Sequence, residues 1–127
     1  MLAEEVERLR RRARSFLEAA EERLRAGSYD ISCFLAEQAV QLYLKSVILE
    51  FSGEVPRTHS IRKLLSIMSN LLNVEFDFDR KELVFLEDAY IKARYLSSEY
   101  SEEDAKNAIA TARRLMSVVD RARKEKS

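Results

Sequence analysis

Glu37, Gln41 and Lys45 recur at i, i+4 and i+8 within DISCFLAEQAVQLYLKSVILEF, residues 30–51. On a helix this spacing sets a carboxylate, an amide and an ammonium in one row. Such a set can hold a polar ligand or key one helix to another. The positions around it are apolar on most sides, with Phe34, Leu42 and Leu49 opposed to Cys33, Val40 and Val47. A helix apolar around its circumference is buried on more than one side. A polar row on it therefore lines a cleft or sits in an interface between subunits.

Arg94 is the second candidate. It follows Tyr90 and Ala93 on an apolar stripe, stands beside Tyr95 and precedes the segment LSSEYS. A guanidinium so placed needs a carboxylate, a phosphate or a carbonyl cluster to offset its desolvation. Glu37, Glu87 or Glu99 would serve as structural partners, and a phosphate as a ligand. His59 is the chain's single imidazole, in PRTHS. There it suits a turn carbonyl or a free amide at a helix start. Cys33 has no second cysteine and reads as an inert buried thiol. The run RLRRRAR, residues 8–14, reads as a solvated face through Glu4–Arg8 and Glu7–Arg11 pairs. Arg10, Arg12 and Arg14 lack such partners and leave a phosphate-binding surface open.

Other chemistries lack their residues. One histidine and one cysteine exclude a His–His or Cys-rich metal site. No G-x-S-x-G nucleophile turn and no phosphate-cradling glycine loop occurs, since Gly27 and Gly53 stand alone. No cofactor is implied.

Five helices would position these groups. The first, about Ala3 to Arg25, draws its stripe through Val6, Leu9, Ala13, Phe16, Leu17, Ala20 and Leu24. Gly27 ends it, and Ser28 or Asp30 caps the second, which runs to about Phe51. The third starts near Ser60 and repeats Ile61, Leu64, Leu65, Met68, Leu71 and Leu72. NVEFDF, residues 73–78, is a loop. Asp79 with Glu82 has capping-box spacing and opens a fourth helix through Leu83, Leu86, Tyr90 and Ala93. Ser101 with Asp104 opens the fifth, whose stripe is Ala105, Ala108, Ile109, Ala112, Leu115, Met116 and Val119. The expectation is an all-α, five-helix up-and-down bundle, one domain over residues 1–127.

With 46% apolar and 35% charged residues the chain has the composition of a globular protein. Its 22 Lys and Arg balance 22 Asp and Glu, so no global field draws it to nucleic acid or membrane. No apolar run approaches the ~20 residues of a membrane span, and MLAEEVERLRRRARSF lacks a signal peptide's apolar stretch. With a lone cysteine, these features point to the cytoplasm.

The order GSYDISCFLAEQAVQLYLKSVI, then THSIRKLL, then DAYIKARY and an Ala-rich last helix resembles the HEPN domain family over nearly the whole chain. Its most specific pieces are AEQAVQLYLK, the Thr58–His59 turn and the Arg94–Tyr95 pair. The resemblance implies a bundle around a long apolar central helix, a homodimer, and a cleft for a nucleotide or RNA. Many members act beside a minimal nucleotidyltransferase as a toxin–antitoxin pair, which makes that enzyme an expected partner. On this reading Arg94, Tyr95, Gln38, Gln41, Lys45 and His59 contact the ligand. Nuclease members follow the Arg with a His after four to six intervening residues, where this chain has Glu99, Tyr100 and Ser101. The leading expectation is thus a non-catalytic binding module. The alternatives are a metal-independent ribonuclease toxin using Arg94 with Glu99, Tyr100 or His59, and a purely structural dimer.

Overall fold

The computed structural model describes residues 2–95 and 99–126, and the side chains of all of these but Ala93, Arg94 and Tyr95. Five helices follow in order: α1 (Leu2–Arg25), α2 (Tyr29–Ser52), α3 (Ile61–Leu72), α4 (Arg80–Tyr95) and α5 (Glu102–Lys126), with no strand among the described residues. The expected helices are all present.

α2 packs against each of the other four helices. That arrangement follows from its sequence, because Cys33, Ala36, Val40, Leu44 and Val47 point in several directions and all are fully buried. The surrounding helices each offer one stripe. On α3 it is Ile61, Leu64, Leu65, Met68 and Leu72, and on α5 it runs from Ala105 to Val119. α1 and α5 present alanines to the core (Ala13, Ala20, Ala105, Ala108, Ala112), and small contact residues let helix axes approach closely. Leu64, Leu86 and Leu115 are fully buried, one from each of α3, α4 and α5.

The helix ends show which local signals carried through. Ser101 and Asp104 form a full capping box, with Ser101 N–H donating to Asp104 (2.9 Å) and Asp104 N–H to Ser101 Oγ (3.0 Å). Asp79 forms half of one, accepting from Lys81 N–H at 2.8 Å. Glu82 turns away to α5, where it accepts from the Thr111 hydroxyl at 3.0 Å. Ser28 stands at the N-cap of α2 without a side-chain cap bond, and Asp30 accepts only from the adjacent Ile31 N–H. Gly53 closes α2 in the left-handed conformation, φ 81°, donating its N–H to Leu49 O. The loop that follows, residues 53–60, leads His59 back to the side of α2.

The basic run departs from its sequence reading. Arg10 is not a surface cation: it is 6% exposed and paired with Glu50 of α2. Glu7 reaches Arg14 at 3.3 Å rather than Arg11. Around Glu50 the network continues to Arg123, whose guanidinium holds Asp120 at 2.8 Å, and the Tyr43 hydroxyl donates to Asp120 at 2.6 Å. This network joins α1, α2 and α5 at the end of α2 away from Glu37. A phosphate surface on RLRRRAR thus loses Arg10 to the bundle's own interior.

Candidate functional site

Glu37 is fully buried although it is a carboxylate. Helical spacing explains what surrounds it: Gln41 lies one turn on, and Gln38 is its neighbour. Gln41 Nε2 donates to Glu37 Oε2, and Gln38 Nε2 donates to Oε1 at 2.9 Å. Two neutral amides satisfy the oxygens without supplying charge. Burial therefore dominates and pushes the Glu37 carboxyl up to about 7; the two amide bonds and the more distant Lys45 oppose the shift. Lys45, half-buried two turns along, is lowered by burial and drawn partly back by the charge of Glu37.

Gln41 joins this interior carboxyl to the surface. Its Oε1 lies 3.3 Å from Nδ1 of His59, whose side chain is otherwise exposed. The imidazole stacks on Tyr90 of α4 at 5.0 Å between centroids and 17° between planes. Tyr90 in turn stacks on Phe34 of α2 at 6.4 Å and 26°. Three aromatic rings thus form a ladder between α2 and α4, with the imidazole at its outer end. The expectation that His59 bonds a turn carbonyl or a helix-start amide does not hold. Ser60 takes the helix-start role, accepting from Lys63 N–H at 3.2 Å.

Glu87 is invisible as a site residue in the sequence except as a possible partner for Arg94. In the fold it caps α3 from outside, accepting from Arg62 N–H (2.8 Å) and the Ser60 hydroxyl (3.0 Å) and pairing with the Arg62 guanidinium at 3.1 Å. Burial works to raise its pKa, but these bonds prevail and hold the carboxyl below its ordinary range. The effect is to pin the start of α3, and with it His59, onto α4. No short motif encodes this contact, since it joins residues 25 apart or more.

Of the sequence candidates, Gln41 and His59 meet on this α2–α4 face; Gln38 is tied to it through Glu37, and Lys45 stands one turn beyond Gln41 on α2. Arg94 and Tyr95 belong to the last turn of α4, one turn beyond Tyr90, and their side chains lie outside the described residues. Tyr100 is directed elsewhere: it packs edge-on against Phe85 at 5.9 Å, and burial pushes its phenol up to about 12. Glu99 is exposed. Cys33 is the inert thiol its sequence position suggested, fully buried and raised by that burial to about 12. Among the described residues no group of three or more His, Cys, Asp or Glu side chains could hold a metal ion, and no helix is long and apolar enough to cross a membrane.

On the other flank of α2 lies an open groove of about 570 Å³ lined by Arg12, Phe16, Ala19, Leu35, Gln38 and Leu42. Ile31 is 41% exposed one turn before Leu35. The apolar girth of α2 is therefore not fully covered by its own bundle.

Comparison with known proteins gives a consistent picture. TT1696 from Thermus thermophilus is similar in structure, with a TM-score of 0.74 and 26% identity over 92% of this chain and 97% of that one. ST0689, an archaeal HEPN homologue, superposes with a TM-score of 0.68 and 27% identity, covering 91% of this chain and 94% of that one. No curated protein matches the sequence. The HEPN domain model matches residues 6–123, which takes in all five helices and the aromatic ladder, and the chain belongs to the HEPN domain family.

Proposed function

We propose that this protein is a dimeric HEPN module that binds a nucleotide or RNA on the α2–α4 face, without intrinsic catalysis. The observation that carries the reading is the exposed imidazole of His59, stacked on Tyr90 and hydrogen-bonded to Gln41. Stacked rings bordered by amide and cationic side chains suit a base and its ribose, because every base has a π-face. Lys45 follows Gln41 by one turn of α2, Arg62 is held by Glu87 of α4, and Arg94 supplies the phosphate contact from the last turn of α4. Tyr95 adds a stacking or hydroxyl contact. The half-covered groove beside Leu35 and Leu42 is the surface for a second copy, and a minimal nucleotidyltransferase is the expected partner protein. The cytoplasm is the proposed setting.

The test is binding of a fluorescent single-stranded RNA. Arg94→Ala and Arg94→Lys both weaken binding by at least ~1.5 kcal/mol, the worth of a charge-assisted bond that an ammonium cannot reproduce bidentately. The fold persists in Arg94→Lys, as read by circular dichroism. Undiminished binding in both variants would remove Arg94 from the site.

One observation favours a second reading, a metal-independent ribonuclease. The imidazole missing after Arg94 has a counterpart in His59, and imidazole is the usual group for moving a 2′-hydroxyl proton near neutral pH. RNA cleavage in chelator by the wild type, lost in Arg94→Ala and in His59→Ala, selects this reading over the first.

A further inference from the structure

The chain of bonds from Glu37 through Gln41 to His59 fixes which imidazole nitrogen faces outward. Above about pH 7 the Glu37 carboxyl is ionised, and an ionised carboxylate only accepts hydrogen bonds. Gln41 must therefore turn its Nε2 toward Glu37, as it does. Its amide is planar, so the carbonyl Oε1 then faces the other way, toward His59 Nδ1 at 3.3 Å. A carbonyl oxygen also only accepts, so Nδ1 carries the hydrogen. In a neutral imidazole this leaves Nε2 as a lone-pair acceptor. Gln38 occupies the second carboxylate oxygen, and Tyr90 holds the plane of the ring.

We infer that Glu37 and Gln41 are positioning residues that hold His59 in its Nδ1–H form, so that Nε2 accepts a hydrogen bond from the 2′-hydroxyl of a bound ribonucleotide. The inference rests on the nucleotide or RNA reading above and adds a chemical class to it: the site prefers ribose to deoxyribose, because only ribose carries the donor that Nε2 requires. A buried carboxyl joined through an amide to an exposed imidazole has no simpler use in packing. An apolar side chain at 37 would fill the same space without desolvating a charge. The geometry also gives Gln41 a role its burial alone would hide, since its two ends are read by two different groups.

His59 is the only histidine, so nitrogen NMR of histidine-labelled protein reads this ring alone. At about pH 8.5, above the ordinary range of imidazole titration, the wild type should show Nδ1 protonated and Nε2 bare. Gln41→Met, which fills the space without hydrogen bonding, should shift the population toward Nε2–H. Glu37→Gln should produce a smaller shift, because a glutamine there can donate as well as accept. Should Gln41→Met fail to fold, the wild-type tautomer and Glu37→Gln still decide. A wild-type ring protonated at Nε2, or a ratio unchanged in a folded Gln41→Met, overturns the relay. The second arm compares RNA and DNA oligonucleotides of one sequence by fluorescence anisotropy. The expected preference for RNA is about fivefold, the worth of one net hydrogen bond, and Gln41→Met should abolish it. Equal binding of RNA and DNA with Nδ1 protonated overturns the ribose assignment. If neither oligonucleotide binds while the tautomer is as expected, the relay stands and the nucleotide reading falls.

Discussion

The two ends of α2 both bury polar groups, and they treat them in opposite ways. At the Glu50 end, carboxylates meet guanidinium groups: Arg10 and Arg123 flank Glu50, while Arg123, Lys124 and the Tyr43 hydroxyl converge on Asp120. Asp120 feels some burial, but these partners overcome it and hold its carboxyl at about 2. At the Glu37 end the carboxyl accepts its hydrogen bonds from neutral amides, and burial raises it to about 7. One arrangement locks three helices together in a fixed charge state. The other keeps a group titratable near neutrality and links it to an exposed ring. Polar burial on one helix thus serves fastening at one end and a site at the other.

Breaking the fastened end should have the largest effect. Arg10→Ala removes a buried cation and leaves Glu50, among the described residues, with Arg123 at 4.0 Å. Cutting a buried pair costs roughly 3–5 kcal/mol, and the lower half of that range is expected because Glu50 remains partly exposed. One Arg10 nitrogen, Nε, is buried without a hydrogen-bond partner among the described residues, which trims the net worth of the pair further. Urea denaturation measures this. A loss under a kilocalorie would mean the network only decorates the helix ends.

Glu37→Gln should act with the opposite sign. Because the folded carboxyl titrates near 7 rather than near its ordinary 4.5, its contribution to stability is fully present below about pH 4.5. It is lost as pH rises through 7. The groups facing it are Gln38, Gln41, Lys45 and, more distantly, Glu87 from α4. A glutamine at 37 cannot ionise, so the variant should gain up to roughly 3 kcal/mol on the wild type at about pH 8.5 and little at about pH 5. Melting temperatures at the two pH values check this. Destabilisation at both would show that the carboxylate is paired after all, and the contrast between the two ends would collapse.

Asp120→Asn gives the matching test at the other end, with a smaller expected effect. A carboxyl lowered from 3.8 to about 2 contributes stability above pH 3.8 and loses it as pH falls through 2. Its side chain is 32% exposed, so solvent screening reduces the contribution to about 1 kcal/mol. The wild type should therefore exceed the variant at about pH 6, and the two should converge toward about pH 2. Together the two substitutions bend the pH profile from opposite sides.

The sequence made the scaffold readable and the connections between its helices much less so. Stripes such as Ile61, Leu64, Leu65 and Met68 follow from 3.6-residue periodicity, which is local. Arg10 is easily misread because its charge outweighs its position, although it stands on the buried stripe with Val6 and Ala13 at i, i+4 and i+7. The Glu37, Gln41 and Lys45 row is legible as a row. What it faces is not, since His59 and Tyr90 reach it from residues 18 and more positions away. Glu82 shows the same limit on a smaller scale. Its capping-box spacing is real, but Thr111 and Arg114 of α5 compete for the carboxylate and take it. Local patterns hold until a tertiary partner offers a better bond.

Tyr100→His should have the smallest effect, and it sharpens the comparison between sequence spacing and spatial placement. By spacing, position 100 is one of the three, 99 to 101, at which the family resemblance would place a nuclease histidine after Arg94, so an imidazole there looks like a route to RNA cleavage. In the fold, the Tyr100 ring is half-buried and lies edge-on to Phe85, while the imidazole already present approaches α2 from the loop before α3 and stacks on Tyr90. A histidine at 100 would inherit the contact with Phe85. It would lose part of an aromatic pair worth about 0.5–1.5 kcal/mol beyond its area, so stability should fall by about 0.5 kcal/mol, the low end of that range. A general acid–base group correctly aimed contributes typically ~10²–10⁴-fold, so misaiming is easy to recognise. Tyr100→His should leave metal-free RNA cleavage within roughly threefold of the wild type, assayed in chelator beside His59→Ala. A rise of a hundredfold would show that position 100 does face the Arg94 turn, and that the site extends around the end of α4 rather than along the Glu37 row.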